Sequence, residues 1–176
     1  MGLKMGKRSD FERNPRDFYP TPLEAVVPLI PHLHYAGSFA EPCAGDGSLI
    51  RHVEELDKYI ACALAWDIEP QANWIEKRDA FELRDMDSFD CIITNPPWSR
   101  DVLHPMIDHF RNIAPTWLLI DADWAYTKQA KPYLKYCSTI VVVGRVKWIP
   151  DSKMTGKDNC AWYQFQKEET DTRFYA

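Results

Sequence analysis

Asp90-Cys91-Ile92-Ile93-Thr94-Asn95-Pro96-Pro97-Trp98 joins an apolar run to an abrupt polar stop. Cys91 to Ile93 is short and continuous in its apolarity, which predicts a buried strand. Behind it come a polar side chain, two prolines and a large aromatic. Two consecutive prolines fix φ and remove two backbone donors, so the chain there is stiff and cannot continue a sheet. The carbonyls of Asn95 and Pro96 are then free to accept hydrogen bonds from outside the fold. A carboxamide oxygen beside a main-chain carbonyl, with an indole next to them, suits a flat ring carrying an exocyclic NH2 group. The amine donates to both acceptors and the ring stacks on Trp98. A strand ending in a Pro-Pro turn with a core tryptophan is the competing reading of the same residues.

Upstream, Ser38-Phe39-Ala40-Glu41-Pro42-Cys43-Ala44-Gly45-Asp46-Gly47-Ser48-Leu49-Ile50 predicts a strand ending at an acid, a small-residue loop with two glycines, and a helix from Ser48 to Leu56. Such glycines let backbone come close to a ligand at the carboxyl edge of an open α/β sheet. The loop does not fit G-x-G-x-x-G, and it carries acids where a phosphate binder would place none. A ligand with a positive sulfonium and an amino group suits it better. A second strand, Cys62 to Trp66, ends in Asp67-Ile68-Glu69-Pro70. Asp67 follows Gly45 by 22 residues, near the spacing of about 20 at which an acid meets a ribose hydroxyl pair in nucleotide-binding α/β folds. Glu69 is the alternate acid, and a polar turn capping the next helix is the plain alternative.

Asn95-Pro96-Pro97-Trp98 resembles the N/D-P-P-Y/F/W signature of S-adenosylmethionine-dependent amino-methyltransferases, in particular the N6-adenine DNA methyltransferases. The glycine loop resembles their E-P-x-x-G-x-G segment, and the order of motifs is similar from Asp17 to the last strand. That resemblance implies a Rossmann-like class I methyltransferase fold of the α/β class. Its mostly parallel sheet would have seven strands, one of them antiparallel, with helices on both faces. It implies a flexible basic arm over 1–16 and a single catalytic domain over 17–176. Asn95, Pro96, Pro97 and Trp98 would then be catalytic, Asn95 also meeting the cofactor S-adenosylmethionine. Glu41, Cys43, Ala44, Gly45, Asp46 and Gly47 would line the cofactor, Asp67 would hold its ribose and Ile68 its adenine face. By the same resemblance, Asp79, Ala80 and Phe81 would meet the adenine, and Tyr19 and Thr21 the methionine end. An aromatic after the penultimate strand would close on the target base, and Trp148 is the nearest match, with Lys147 and Lys153 beside it. The expected reaction is methylation of the adenine N6 amine in DNA. RNA adenine, a protein glutamine amide and a non-catalytic partner subunit are the alternatives.

Several of these residues have a plainer reading. Thr21, Pro22 and Glu24 predict a capped helix start, shortened by Pro28 and Pro31. Asp79 also reads as a loop residue and Phe81 as core. Asp101 to Ile113 is amphipathic, with Val102, Met106, Ile107 and Phe110 on one side. Trp117 to Ile120 and Thr139 to Val146 read as strands, and Asp158 to Phe165 alternates as a final antiparallel one. Trp124 and Tyr126 follow the first of these and read as packing.

The bulk numbers exclude other classes. At 176 residues, 45% hydrophobic and 27% charged, the chain is one ordinary domain. Its apolar runs are too short for a membrane span, and no apolar segment follows the basic start as in a signal peptide. Five cysteines form no C-x-x-C pair, and the histidines show no ligand spacing, so no metal and a cytoplasmic location are expected. A net charge of −5 counts against a protein that coats duplex DNA alone. The charge is uneven, however. Basic residues gather at Lys4, Lys7, Arg8, Arg13 and Arg16, and again at Arg145, Lys147, Lys153 and Lys157. No stretch is long enough for a separate target-recognition domain, so sequence choice falls to the basic arm, the 99–105 loop, the 148–157 loop or a partner chain, and a homodimer or a partner specificity subunit is expected.

Overall fold

Cys91–Thr94 is buried end to end and forms β4, a central strand. The computed structural model describes residues 19–84, 89–149, 156 and 158–176. The expected arm over 1–16, together with Lys153 and Lys157, lies outside them. On one side β4 pairs in parallel with β1 (Ser38–Glu41), which leads to β2 (Ala61–Asp67) and β3 (Glu76–Lys77). On the other side come β5 (Thr116–Asp121), β7 (Cys160–Phe165), β6 (Cys137–Gly144) and β8 (Arg173–Tyr175). β7 runs antiparallel to both neighbours, and the remaining pairs are parallel. The expected sheet needs one correction: among the described residues it has eight strands, not seven. The added strand, β8, is short and exposed throughout, so it lacks the apolar pattern that announces a buried one.

Side chains alternate across this sheet, as they must on a pleated strand. Along β5, Trp117 and Leu119 pack with Leu29, Val53 and Trp162, under the N-terminal helices and α2 (Ser48–Leu56). Leu118 and Ile120 point the other way and pack with Leu103, Ile107 and Phe110 of α3 (Arg100–Arg111). Helices therefore cover both faces.

The helix start at Thr21 differs from expectation. The first helix, α1 (Leu23–Val26), has Pro22 at its N-cap and no side-chain cap. As expected, the α-helix is short: it ends at Val26, and the segment holding Pro28 and Pro31 continues as a 3-10 helix over Val27–His32. Thr21 and Glu24 are drawn into long-range bonds instead, to Asn95 and to the backbone N–H of Lys147.

The chain runs outward from β1 to β3, then returns to lay β4 on the other side of β1. Strand order reverses between β1 and β4, and open α/β sheets bind ligands beyond the carboxyl ends of strands at such a point.

Candidate active site

Glu41 closes β1 and Asn95 follows β4, so two adjacent parallel strands deliver an acid and a carboxamide to one sheet edge. A cavity of about 820 Å³ opens there. Beside Glu41 its wall is made by Cys43, Ala44, Gly45 and Asp46, and beyond them by Asp67 and Ile68 at the end of β2. Asp79, Ala80 and Phe81 form a further side, and Tyr19, Thr21, Asn95 and Pro97 complete it.

The backbone is shaped for this. Gly45 takes a positive φ of 55° and donates its N–H to Asp67 Oδ2 at 2.9 Å, while Glu69 N–H meets Asp67 Oδ1 at 2.7 Å. Each oxygen of Asp67 thus accepts one backbone N–H and, as a carboxylate oxygen, has capacity for another donor. Asp46 is occupied by the start of α2, accepting from Ser48 N and Ser48 Oγ, with Arg51 beside it. Asp79 caps the turn Ala80–Glu82 through Oδ1, in a capping box with Glu82. Asp79 is thus a loop residue that also borders the cavity.

Gly47 departs from expectation. Its φ is 77°, but a Cβ there would lie 2.2 Å from Trp74 Cζ2. The side opened by this glycine is filled by Trp74 rather than by the cavity.

The Asn95-Pro96-Pro97-Trp98 segment divides its tasks. Asn95 Nδ2 donates to Thr21 Oγ1 at 3.2 Å, which leaves Oδ1 as the amide's unengaged acceptor. Pro97 borders the cavity, and the neighbouring Pro96 is buried. Trp98 is half-buried against the core and donates its indole N–H to Leu119 O at 3.0 Å. Trp148 meets it edge to face, with centroids 5.8 Å apart and planes at 82°. Tyr19 also lies near Trp148, with ring centroids 6.4 Å apart. The expected sandwich of a base between Trp98 and Trp148 is therefore corrected: the two indoles touch each other, and a ring enters between them only if Trp148 moves. Lys147 is half-buried, its N–H held by Glu24.

Electrostatically the cavity has one sign. Glu41, Asp46, Asp67, Glu69 and Asp79 line it, and no lysine, arginine or histidine does so among the described residues. Glu41 is only 2% exposed, and its Oε2 has no hydrogen-bond partner. Burial, then the charges of Asp67 and Asp46, push its carboxyl well above the usual range. Burial and Asp67 likewise push the Cys43 thiol up. Among the described residues no cluster could hold a metal ion, and no helix is long and apolar enough to cross a membrane.

Sequence reasoning missed Ser99, Val102 and Met106, which border the cavity from the start of α3. Val102 and Met106 are one helical turn apart, and that spacing was the available signal. It was absorbed by the amphipathic reading of the helix.

No protein-family model matches the sequence, and no curated protein does. Solved structures do share the architecture. A Listeria monocytogenes protein described as a class I S-adenosylmethionine-dependent methyltransferase superposes with a TM-score of 0.57 at 11% identity, over 87% of this chain and 64% of that one. The chain has the class I methyltransferase fold. The same methyltransferase fold is found in a Pyrococcus horikoshii protein described as an RNA methyltransferase, with a TM-score of 0.51, 17% identity, and coverage of 90% of this chain and 93% of that one. It recurs in a modification subunit of a type I restriction enzyme from Vibrio vulnificus, with a TM-score of 0.52 and 14% identity. There the match covers 90% of this chain but 46% of that one. Within this fold, the reversal between β1 and β4 is where the cavity and Asn95 meet.

Proposed function

We propose that the protein transfers a methyl group from S-adenosylmethionine to the exocyclic N6 amine of adenine in DNA. The observation that carries this reading is Asn95, whose amide nitrogen is tied to Thr21 and whose oxygen is left for an amine, beside a cavity lined with acids. The cavity suits the cofactor. The acid Glu41 at the cavity edge fits a cationic group, Asp67 a ribose, and the exposed faces of Ile68 and Phe81 an adenine ring. Bound there, S-adenosylmethionine supplies an electrophilic methyl group on a positive sulfur. Neighbours of the same fold described as an RNA methyltransferase and as a restriction-enzyme modification subunit are consistent with a nucleic-acid partner.

The chemistry asked of the chain is modest. An adenine amine is a poor nucleophile because its lone pair is delocalised into the ring. Asn95 Oδ1 and the Pro96 carbonyl accept hydrogen bonds from its two N–H groups and so favour a pyramidal nitrogen whose lone pair is free to attack, the surplus proton leaving to solvent after attack. No strong base is needed before attack, and positioning supplies much of the acceleration. Trp98 offers a face to a base that has left its stack, with Trp148 displaced to admit it.

The test is incubation with labelled S-adenosylmethionine and DNA, RNA or protein in parallel, followed by nucleoside and amino-acid analysis. Label in N6-methyladenine from DNA is the expected result. Label only in RNA or glutamine redirects the substrate, and no label in any sample overturns the reaction. Asn95→Ala is expected to lower turnover by roughly a hundredfold or more while the cofactor still binds.

A further inference from the structure

We propose that Glu41 holds a proton until a cation enters the cavity and releases it on binding, so that the site prefers the positively charged methyl donor to the neutral by-product left after transfer. The proposal rests on the reading of this cavity as the S-adenosylmethionine site and concerns how that site chooses between its two occupants. Sulfonium, ammonium and carboxylate give the donor a net positive charge. The by-product, S-adenosylhomocysteine, has a thioether in place of the sulfonium and no net charge.

The geometry supplies the selector. Glu41 is 2% exposed at the end of β1, borders the cavity, and has an oxygen without a hydrogen-bond partner. The charged and titratable groups around it offer no compensation. Asp67 from β2 and Asp46 from the loop are of like sign, and both raise its affinity for a proton after burial itself. Cys43 and Cys62 also feel the charge of Glu41. Burial pushes the Cys62 thiol up to about 12 and the Cys43 thiol up as well, so both stay neutral. Arg51 is held by Asp46, through its main-chain oxygen and its carboxylate, and does not line the cavity. A buried carboxyl among like charges with no donor keeps its proton. A ligand cation provides the missing counter-charge, and the proton leaves to solvent.

Titration calorimetry in two buffers of different ionisation enthalpy, repeated across pH, reads the proton directly. The probes are S-adenosylmethionine, S-adenosylhomocysteine and sinefungin, an analogue with an amine-bearing carbon in place of the sulfonium. All three carry the same amino-acid ammonium, so differences among them isolate the extra charge. S-adenosylmethionine and sinefungin are expected to release close to one proton, with affinity rising by up to about tenfold per pH unit where it is lost. The homocysteine by-product should release markedly less and bind more weakly. Glu41→Gln is expected to abolish the release and to narrow the preference for donor over by-product by about tenfold. Equal proton release by all three ligands, or release unchanged in Glu41→Gln, overturns the proposal. Should that variant not fold, the wild-type pH series decides, and parallel slopes for donor and by-product overturn it. Binding of all three without proton exchange overturns this inference alone. A wild-type protein that binds none of them overturns the methyltransferase reading with it.

Discussion

Asn95 Nδ2 donates to Thr21 Oγ1 at 3.2 Å across 74 residues of chain, and Thr21 is itself only 5% exposed. In this arrangement the amide nitrogen is engaged and the oxygen is left for a substrate, so the threonine hydroxyl steadies the carboxamide of Asn95. Thr21→Val keeps the shape and removes the acceptor. It should lower kcat about fivefold, corresponding to a net hydrogen bond of about 1 kcal/mol, with S-adenosylmethionine affinity unchanged. Thr21→Ser should restore the rate. A raised cofactor Kd in Thr21→Val, with kcat intact, would mean that the hydroxyl serves the cofactor and not Asn95.

Glu24 reaches 123 residues along the chain to accept the N–H of Lys147. That bond fastens the segment carrying Trp148 to α1. Glu24→Ala should raise KM for the nucleic-acid substrate by roughly three- to tenfold, on the scale of about 1 kcal/mol for one exposed bond. Steady-state kinetics at saturating cofactor checks this, and a change confined to cofactor affinity would contradict it.

Gly47→Ala is expected to destabilise the fold by about 1–3 kcal/mol, combining left-handed backbone strain with displacement of Trp74. Urea denaturation measures the loss. Trp74→Ala in the same chain should recover the steric part only, because the φ of 77° remains. Full recovery would show that the backbone angle costs nothing there.

Stability should depend on pH through Glu41. In the unfolded chain its carboxyl titrates near 4.5, while in the fold burial holds the proton to higher pH. The folded state therefore binds the extra proton, and its contribution to stability declines as pH rises above about 4.5 and levels off once Glu41 ionises. Asp121, raised chiefly by burial, acts in the same direction, whereas His104 and His109, lowered chiefly by burial, act in the opposite one. The readout is thus the difference in Tm between Glu41→Gln and wild type, which should grow in the variant's favour with rising pH. A constant difference would mean that Glu41 titrates normally.

Burial pushes the thiols of Cys62, Cys91, Cys137 and Cys160 up to about 12. At pH 8 only about one in ten thousand of each is thiolate, the reactive form. Iodoacetamide should label the native protein slowly at these positions and rapidly in urea, as peptide mass spectrometry would show. Fast native labelling at Cys91, inside β4, would be incompatible with the packed sheet.

Much of this arrangement was legible in the chain because its signals are local. The apolar run before Asn95, the glycines before Ser48 and the acid closing β2 each report their own backbone, and the cavity gathers them. What escaped is long-range. Thr21-Pro22-Leu23-Glu24 has the spacing of a helix cap, and spacing says nothing of Asn95 or Lys147, which take those side chains in the fold. Gly47 reads like Gly45 until Trp74 is seen lying against it. Val102 and Met106 carry a helical repeat that serves core and cavity equally. Trp98 and Trp148 were each assigned a face for a base, and only the folded chain reveals that they rest on one another.

The eighth strand has a bearing on self-association. β8 pairs with β6 over Arg173, Phe174 and Tyr175 and so occupies the hydrogen-bonding margin that β6 would otherwise present. A margin three residues long is a poor template for recruiting another chain, a common safeguard against runaway stacking. Any twofold pairing at this border would rest on side chains such as Phe174, 64% exposed, and would be reversible by dilution rather than locked like a fibril.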